Sequence, residues 1–149
     1  MAAKLEGLKE LDAQLQQLIK SVEPDKVEPI LQQAGQMIVD AGKPVTPYDP
    51  GREKGKHLRD AWVTKLMPRR RDKNPAPAIA AIDAKIAPHA HLVEKGSPGR
   101  IAKKGKYPGR YYGPMPAHPF FRPTWDKMKR PVKNHIIDKL RDNINQAVK

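Results

Sequence analysis

The chain has 149 residues, 30% of them charged and only 5% aromatic, with no cysteine and a net charge of +13. Disulfides and thiolate metal sites are therefore excluded, and no apolar run approaches the roughly 20 residues of a membrane span, so the expectation is a soluble, cytosolically made protein with no membrane partner. The charge is uneven, −3 over residues 1–50 and +16 over residues 51–149, which suits either a nucleic-acid surface or a subunit whose acidic and basic faces meet those of its neighbours.

Leu5, Leu8, Leu11, Leu15 and Leu18 recur at spacings of three and four with polar residues between them. This pattern predicts an amphipathic helix over 4–21, with Gly7 weakening its first turns. Its stripe is expected to face the core, the other option being a seam against another subunit. A second helix follows Glu23-Pro24, with Val27, Ile30, Leu31, Ala34, Met37, Ile38 and Ala41 on one side. Either Glu28 caps it ahead of Pro29, or Asp25 and Glu28 form a capping box; Gly42 and Pro44 are expected to stop it.

Residues 43–57 read as a proline- and glycine-rich loop, and Leu58–Met67 as a strand that Pro68 ends. A basic turn of Arg69, Arg70, Arg71 and Lys73 leads to Ala78–Ile86, where Ile79, Ile82 and Ile86 stand closer to helical spacing but the short length and the bracketing prolines favour a second strand over a helix. His89–Gly96 is a short helix or turn. From Lys95 to Gly113 runs a loop with six Lys/Arg, no acid, and Tyr107, Tyr111 and Tyr112 interleaved; loops of such length are usually functional or partly disordered. Between Pro114 and Pro123 lie four prolines and both phenylalanines. The prolines make a stiff strap and bias Met115, His118 and Arg122 towards extended backbone. Phe120 and Phe121, if extended, point to opposite sides, one to the core and one to an interface. Trp125, Met128, Val132, Ile136, Leu140 and Ile144 then mark a long final helix, interrupted or kinked near Pro131.

Little in the chain suggests catalysis. Ser21 and Ser97 are its two serines, and neither has a recognisable base beside it in sequence. His89 and His91 could share a strand face as weak metal ligands, but no further ligand stands at a suitable spacing. His118 is better suited to tying the strap to nearby backbone through a ring nitrogen than to acting as a base. The cations and tyrosines between Lys95 and Arg130 offer phosphate neutralisation and stacking surfaces for nucleic acid, or a basic arm for an acidic partner.

Several segments together resemble a known family. Ala117-His118-Pro119-Phe120-Phe121-Arg122-Pro123 before a long helix is similar to the C-terminal signature of the tail-component family typified by the gene-ten product of the Hong Kong 97 phage. Gly7-Leu8-Lys9-Glu10-Leu11 and the Ala34–Ala41 helix resemble its opening pair. Thr46-Pro47 and Gly55-Lys56-His57-Leu58-Arg59-Asp60-Ala61-Trp62 look like its loop and first strand, and His91-Leu92-Val93-Glu94-Lys95-Gly96-Ser97 like its segment ending in Glu-x-Gly-Ser/Thr. Arg52–Lys54 are extra, because the family is usually shorter there.

The resemblance implies a non-catalytic virion protein at the neck, a head-tail connection or tail-completion component that assembles as a ring. The expected fold is α+β, one domain over 1–149: two N-terminal helices, a small mostly antiparallel sheet of about three or four strands, a basic loop projecting at about 95–116, and a long C-terminal helix packed on the sheet. The expected contact residues are Arg100, Lys103, Lys104, Lys106, Arg110, Tyr111, Tyr112, His118, Phe120, Phe121 and Arg122. The expected partners are further copies in a hexameric or twelvefold ring, other neck and tail proteins, and DNA in the channel. No cofactor, metal or catalytic residue is expected.

Overall fold

Proline and glycine positions divide the chain into helices and short paired strands. The computed structural model describes residues 8–48, 50–51, 57–69, 74–104 and 106–147. In order come α1 (Leu8–Ser21), α2 (Pro24–Val45), a 3₁₀ turn (Leu58–Ala61), β1 (Trp62–Leu66), β2 (Ala78–Ile82), α3 (Ala90–Lys95), β3 (Arg100–Ile101), β4 (Tyr111–Tyr112) and α4 (Phe121–Ala147). The α+β reading holds, with the strands in two two-stranded sheets, β1-β2 and β3-β4. No helix among the described residues is long and apolar enough to cross a membrane. The start of the first predicted helix, with Gly7, lies outside the described residues, as do Arg52–Lys54, Gly55, Lys56, Arg70, Arg71, Lys73 and Val148.

The chain forms two compact units. One comprises Met1–Met37, Thr64–Ile79 and Arg130–Lys149, and the other Ile38–Val63 and Ala80–Lys129. In the first, Pro24 opens α2 at the position where its missing N–H costs nothing, and Glu23 O accepts from Lys26 and Val27 N–H. Val27, Ile30 and Ala34 form the buried side of α2 in this unit, and Ala76 and Val132 are buried as well. Pro29 therefore sits inside the helix, and the Asp25–Glu28 pair does not cap it. Both carboxylates instead bind the Arg69 guanidinium, and Glu28 also accepts the Ala76 N–H at 2.9 Å. The Arg69 bond, with the Ala76 N–H second, holds the Glu28 carboxyl below its ordinary pKa. Replacing Glu28 with alanine is expected to speed amide exchange at Ala76 and its neighbours while helix content is retained. Hydrogen exchange read by mass spectrometry checks this.

The α1 stripe departs from expectation. Leu8, Leu11 and Leu15 are each about half exposed, at 53%, 51% and 49%, and Ile19 is 63% exposed. Leu18 alone among them is half-buried. Periodicity states that a helix is amphipathic; it does not state what covers the apolar side.

In the second unit α2 continues through Gly42 and Pro44 to Val45, so neither residue stops it. The predicted strand from Leu58 begins as a 3₁₀ turn and becomes β1 at Trp62. The second strand ends at Ile82, where Asp83 starts a turn by accepting from Ile86 and Ala87 N–H through its carbonyl. Bonds from Met67 N–H to Pro77 O and from Asp83 N–H to Ala61 O frame β1 and β2 as an antiparallel pair.

The last helix begins three residues earlier than Thr124 and runs through Pro131 without interruption. Its 27 residues span roughly 40 Å at about 1.5 Å per residue. Thr124, not Trp125, takes the buried position of its first turn; Trp125 is exposed. Arg122 is helical despite preceding proline.

Candidate functional site

Residues 97–104 and 106–115 form a single antiparallel ribbon, which composition alone had suggested was a loop. Ser97 and Met115 exchange backbone bonds of 2.9 Å at its base. Arg100 pairs with Tyr112 and Ile101 with Tyr111, and Ala102 N–H reaches Arg110 O at 2.8 Å. The register is constant from Ser97–Met115 to Ala102–Arg110, where Gly109, at φ +79°, forms a bulge by also donating to Ala102 O, so the strand alternation assigns two faces. Arg100, Arg110 and Tyr112 fall on one. Ile101, Tyr111 and Met115 fall on the other, and all three are exposed. Lys103, Lys104 and Lys106 occupy the tip.

Among the described residues no carboxylate pairs with Arg100, Lys103, Lys104, Lys106 or Arg110. The cations use tyrosine faces instead: Arg110 lies 5.6 Å from the Tyr107 ring centre and 5.4 Å from that of Tyr112, and Lys106 lies 5.4 Å from Tyr107. Such contacts contribute about 0.5–1 kcal/mol each at exposed sites. They also occupy ring faces that nucleobases would need for stacking.

The base of the ribbon is clamped by one carboxylate. Glu94 Oε2 accepts the N–H groups of Phe120 and Phe121 at 2.8 and 2.9 Å, and Oε1 accepts that of Arg122 at 3.0 Å. The next residue, Pro123, has no N–H. Every backbone donor that the start of α4 leaves without an intrahelical acceptor is therefore accounted for. Partial burial opposes ionisation of Glu94, but the three N–H donors and the Arg122 charge outweigh it and hold the pKa below the ordinary value of 4.5. A negative group at a helix N-terminus is further favoured by the helix dipole.

Gly96 makes the clamp possible. Its φ is +74°, and a Cβ there would lie 2.8 Å from Met115 O and 2.9 Å from Ala117 N. Nearby, His118 N–H donates to Val93 O at 2.8 Å. The strap is thus tied through the His118 backbone and not through its ring, which is exposed.

Behind the clamp stands Trp62, 3% exposed. Its Nε1–H donates to Thr46 Oγ1 at 2.6 Å, and that hydroxyl donates to Gly42 O at 2.8 Å, closing the end of α2. Phe121 stacks on the indole at 5.2 Å and 12°, while Phe120 meets it edge-on at 6.1 Å and 74°. Phe120 is 2% exposed. Both rings meet Trp62, because Phe121 opens a helix and the two are not adjacent extended residues. A Cβ on Gly42 would fall 2.3–2.7 Å from indole atoms, so this glycine serves ring contact and not helix termination.

The other candidates are dispersed. Arg122 is exposed in the first turn of α4, His89 precedes α3, and His91 lies within it. Two apart at a helix start, His89 and His91 do not share a face as they would on a strand. No group of three or more His, Asp or Glu among the described residues is placed to hold a metal. Sequence reasoning missed Glu94 as a cap and the Gly42–Thr46–Trp62 contact. Their signals were the quoted segments ending in Glu94-Lys95-Gly96-Ser97, Thr46-Pro47 and Ala61-Trp62.

A family model described as "Bacteriophage HK97-gp10, putative tail-component" matches residues 9–96, more than half of the chain. The chain belongs to the HK97-gp10-like family. The matched span includes Thr46, Trp62, Glu94 and Gly96 and ends at the base of the ribbon; the strap, which carried the most specific resemblance, lies beyond it. No curated protein and no solved structure gives a significant match. Membership in the HK97-gp10-like family supports a structural role in a bacteriophage, with other tail proteins as partners and the virion as location.

Proposed function

We propose that this HK97-gp10-like chain is a neck or tail-completion protein of a tailed phage. It acts without catalysis or cofactor by assembling into a hexameric or twelvefold ring in the host cytoplasm and joining other neck and tail proteins. One domain over residues 1–149 would carry the ribbon and strap as its contact arm. The clamped ribbon carries this reading: a stiff projection, fastened by Glu94 and Gly96 and bearing unpaired cations, suits contact with another subunit. DNA in the channel is a further partner for the cationic side.

A phage lacking the gene is expected to yield filled heads and tails that fail to join into infectious particles. Quantitative mass spectrometry of wild-type virions should find the protein in a multiple of six copies. Normal infectivity without the gene, together with absence from virions, would overturn the proposal. A second reading, a free nucleic-acid-binding protein, is favoured by the cations of the ribbon. It requires tight DNA binding by the monomer that weakens steeply with salt.

A further inference from the structure

One side of the ribbon gathers its charge. Arg100 and Arg110 share that side with Tyr112, and Arg100, Lys103, Lys104 and Lys106 surround, with Tyr107 and Tyr112, a concavity of about 350 Å³. Residues 97–115 hold five Lys/Arg and no Asp, Glu, Asn or Gln. Amides and carboxylates are the side chains that, beside arginine, read base edges by hydrogen bonding. The ribbon is therefore equipped to meet repeated negative charge and poorly equipped to read a base sequence.

Two further observations select the polyanion. Arg110 lies 5.6 and 5.4 Å from the Tyr107 and Tyr112 ring centres, and a guanidinium stacked on an aromatic face can still donate to phosphate from its edge. The rings so covered are not offered to unstacked bases, which binding of a single strand would require; Tyr111 falls on the opposite face. Three of the five cations are lysines grouped at the tip. Lysine is depleted at protein–protein interfaces and common in contacts to nucleic-acid phosphates.

We infer that the cationic side of the ribbon binds the phosphate backbone of duplex DNA without reading its sequence. This rests on the neck reading above, which supplies duplex DNA as the nearby polyanion, and it names the residues and the chemistry of the contact. Affinity is then governed by counterion release, each neutralised phosphate contributing a slope of about −0.9 to the dependence of log affinity on log salt. Five such contacts give a slope near −4.5, or a loss of about 500-fold between roughly 50 and 200 mM salt.

The test titrates the full-length protein with short DNA duplexes by fluorescence anisotropy over that salt range. Duplexes of unrelated sequence should bind alike, and oligo(dT) more weakly. Lys103→Gln/Lys104→Gln/Lys106→Gln should reduce the slope to about −1.8, so that the same rise in salt costs only about 12-fold. Lys127→Gln/Lys133→Gln/Lys139→Gln removes equal charge from exposed positions on α4 and should leave the slope unchanged. In filled virions, formaldehyde should join Lys103, Lys104 or Lys106 to DNA, with the adducts located by mass spectrometry.

Tighter binding to oligo(dT) than to duplex, or equal loss in both triple variants, would overturn the inference. So would virions that contain the protein without those adducts, an outcome that leaves the neck reading intact. If the ribbon variant keeps its duplex affinity and is lost from virions, the lysines serve a protein partner and the inference fails. Absence of the wild-type protein from virions would instead overturn the neck reading itself.

Discussion

Gly42→Ala is expected to destabilise the protein by about 2 kcal/mol through overpacking, although the same change at an ordinary helix position stabilises by roughly 1 kcal/mol. The added methyl would enter within 2.3 Å of the Trp62 ring. That ring cannot swing away freely, since its N–H is bonded to Thr46 and Phe121 covers one face. The atoms that would collide, Cζ2, Cη2 and Cε2, belong to the part of the indole that phenylalanine lacks. In a Trp62→Phe background the sign should therefore reverse, and Gly42→Ala should be neutral or stabilising. Urea denaturation of the four proteins in the cycle measures this. Destabilisation of equal size in both backgrounds would remove the indole contact as the cause.

Glu94→Ala should cost about 2 kcal/mol, as expected when a charged acceptor is taken from several partly buried donors. The effect should depend on pH in one direction. Folding lowers the Glu94 pKa from 4.5, so the carboxylate's contribution is fully present above that value. It is lost as pH falls through the lower, folded value. Glu28 and Asp126 are also held low, so wild-type stability declines in acid for several reasons. The difference between wild type and Glu94→Ala isolates the clamp: it should be constant near neutrality and shrink below about pH 4.5. Thermal melts across that range provide the measurement, and a gap that widens in acid would contradict the assignment.

Much of the helical framework was legible because residue spacing and helix burial obey the same period. The face of α4 from Met128 to Ile144 was readable for that reason. The α1 leucines show the limit of such reading, since spacing alone cannot distinguish a core-facing stripe from an exposed one. Glycine and proline misled twice. Gly42 resembled a terminator but makes room for an indole 20 residues later, and the glycines around the basic segment concealed a ribbon whose pairing is made by backbone atoms. The Glu94 clamp joins residues 26 apart in sequence, and no local rule anticipates it. Only the motif ending in Gly96-Ser97 marked the place.

The ribbon is closed at its root twice, by Ser97 with Met115 and by Glu94 with the start of α4. Everything distal to that root can be lengthened, shortened or recomposed with only a slowly growing closure cost. The Trp62 cluster need not be disturbed. On the proposed reading, the ribbon is therefore an exchangeable fitting, free to change in length and composition while the body that carries it is kept.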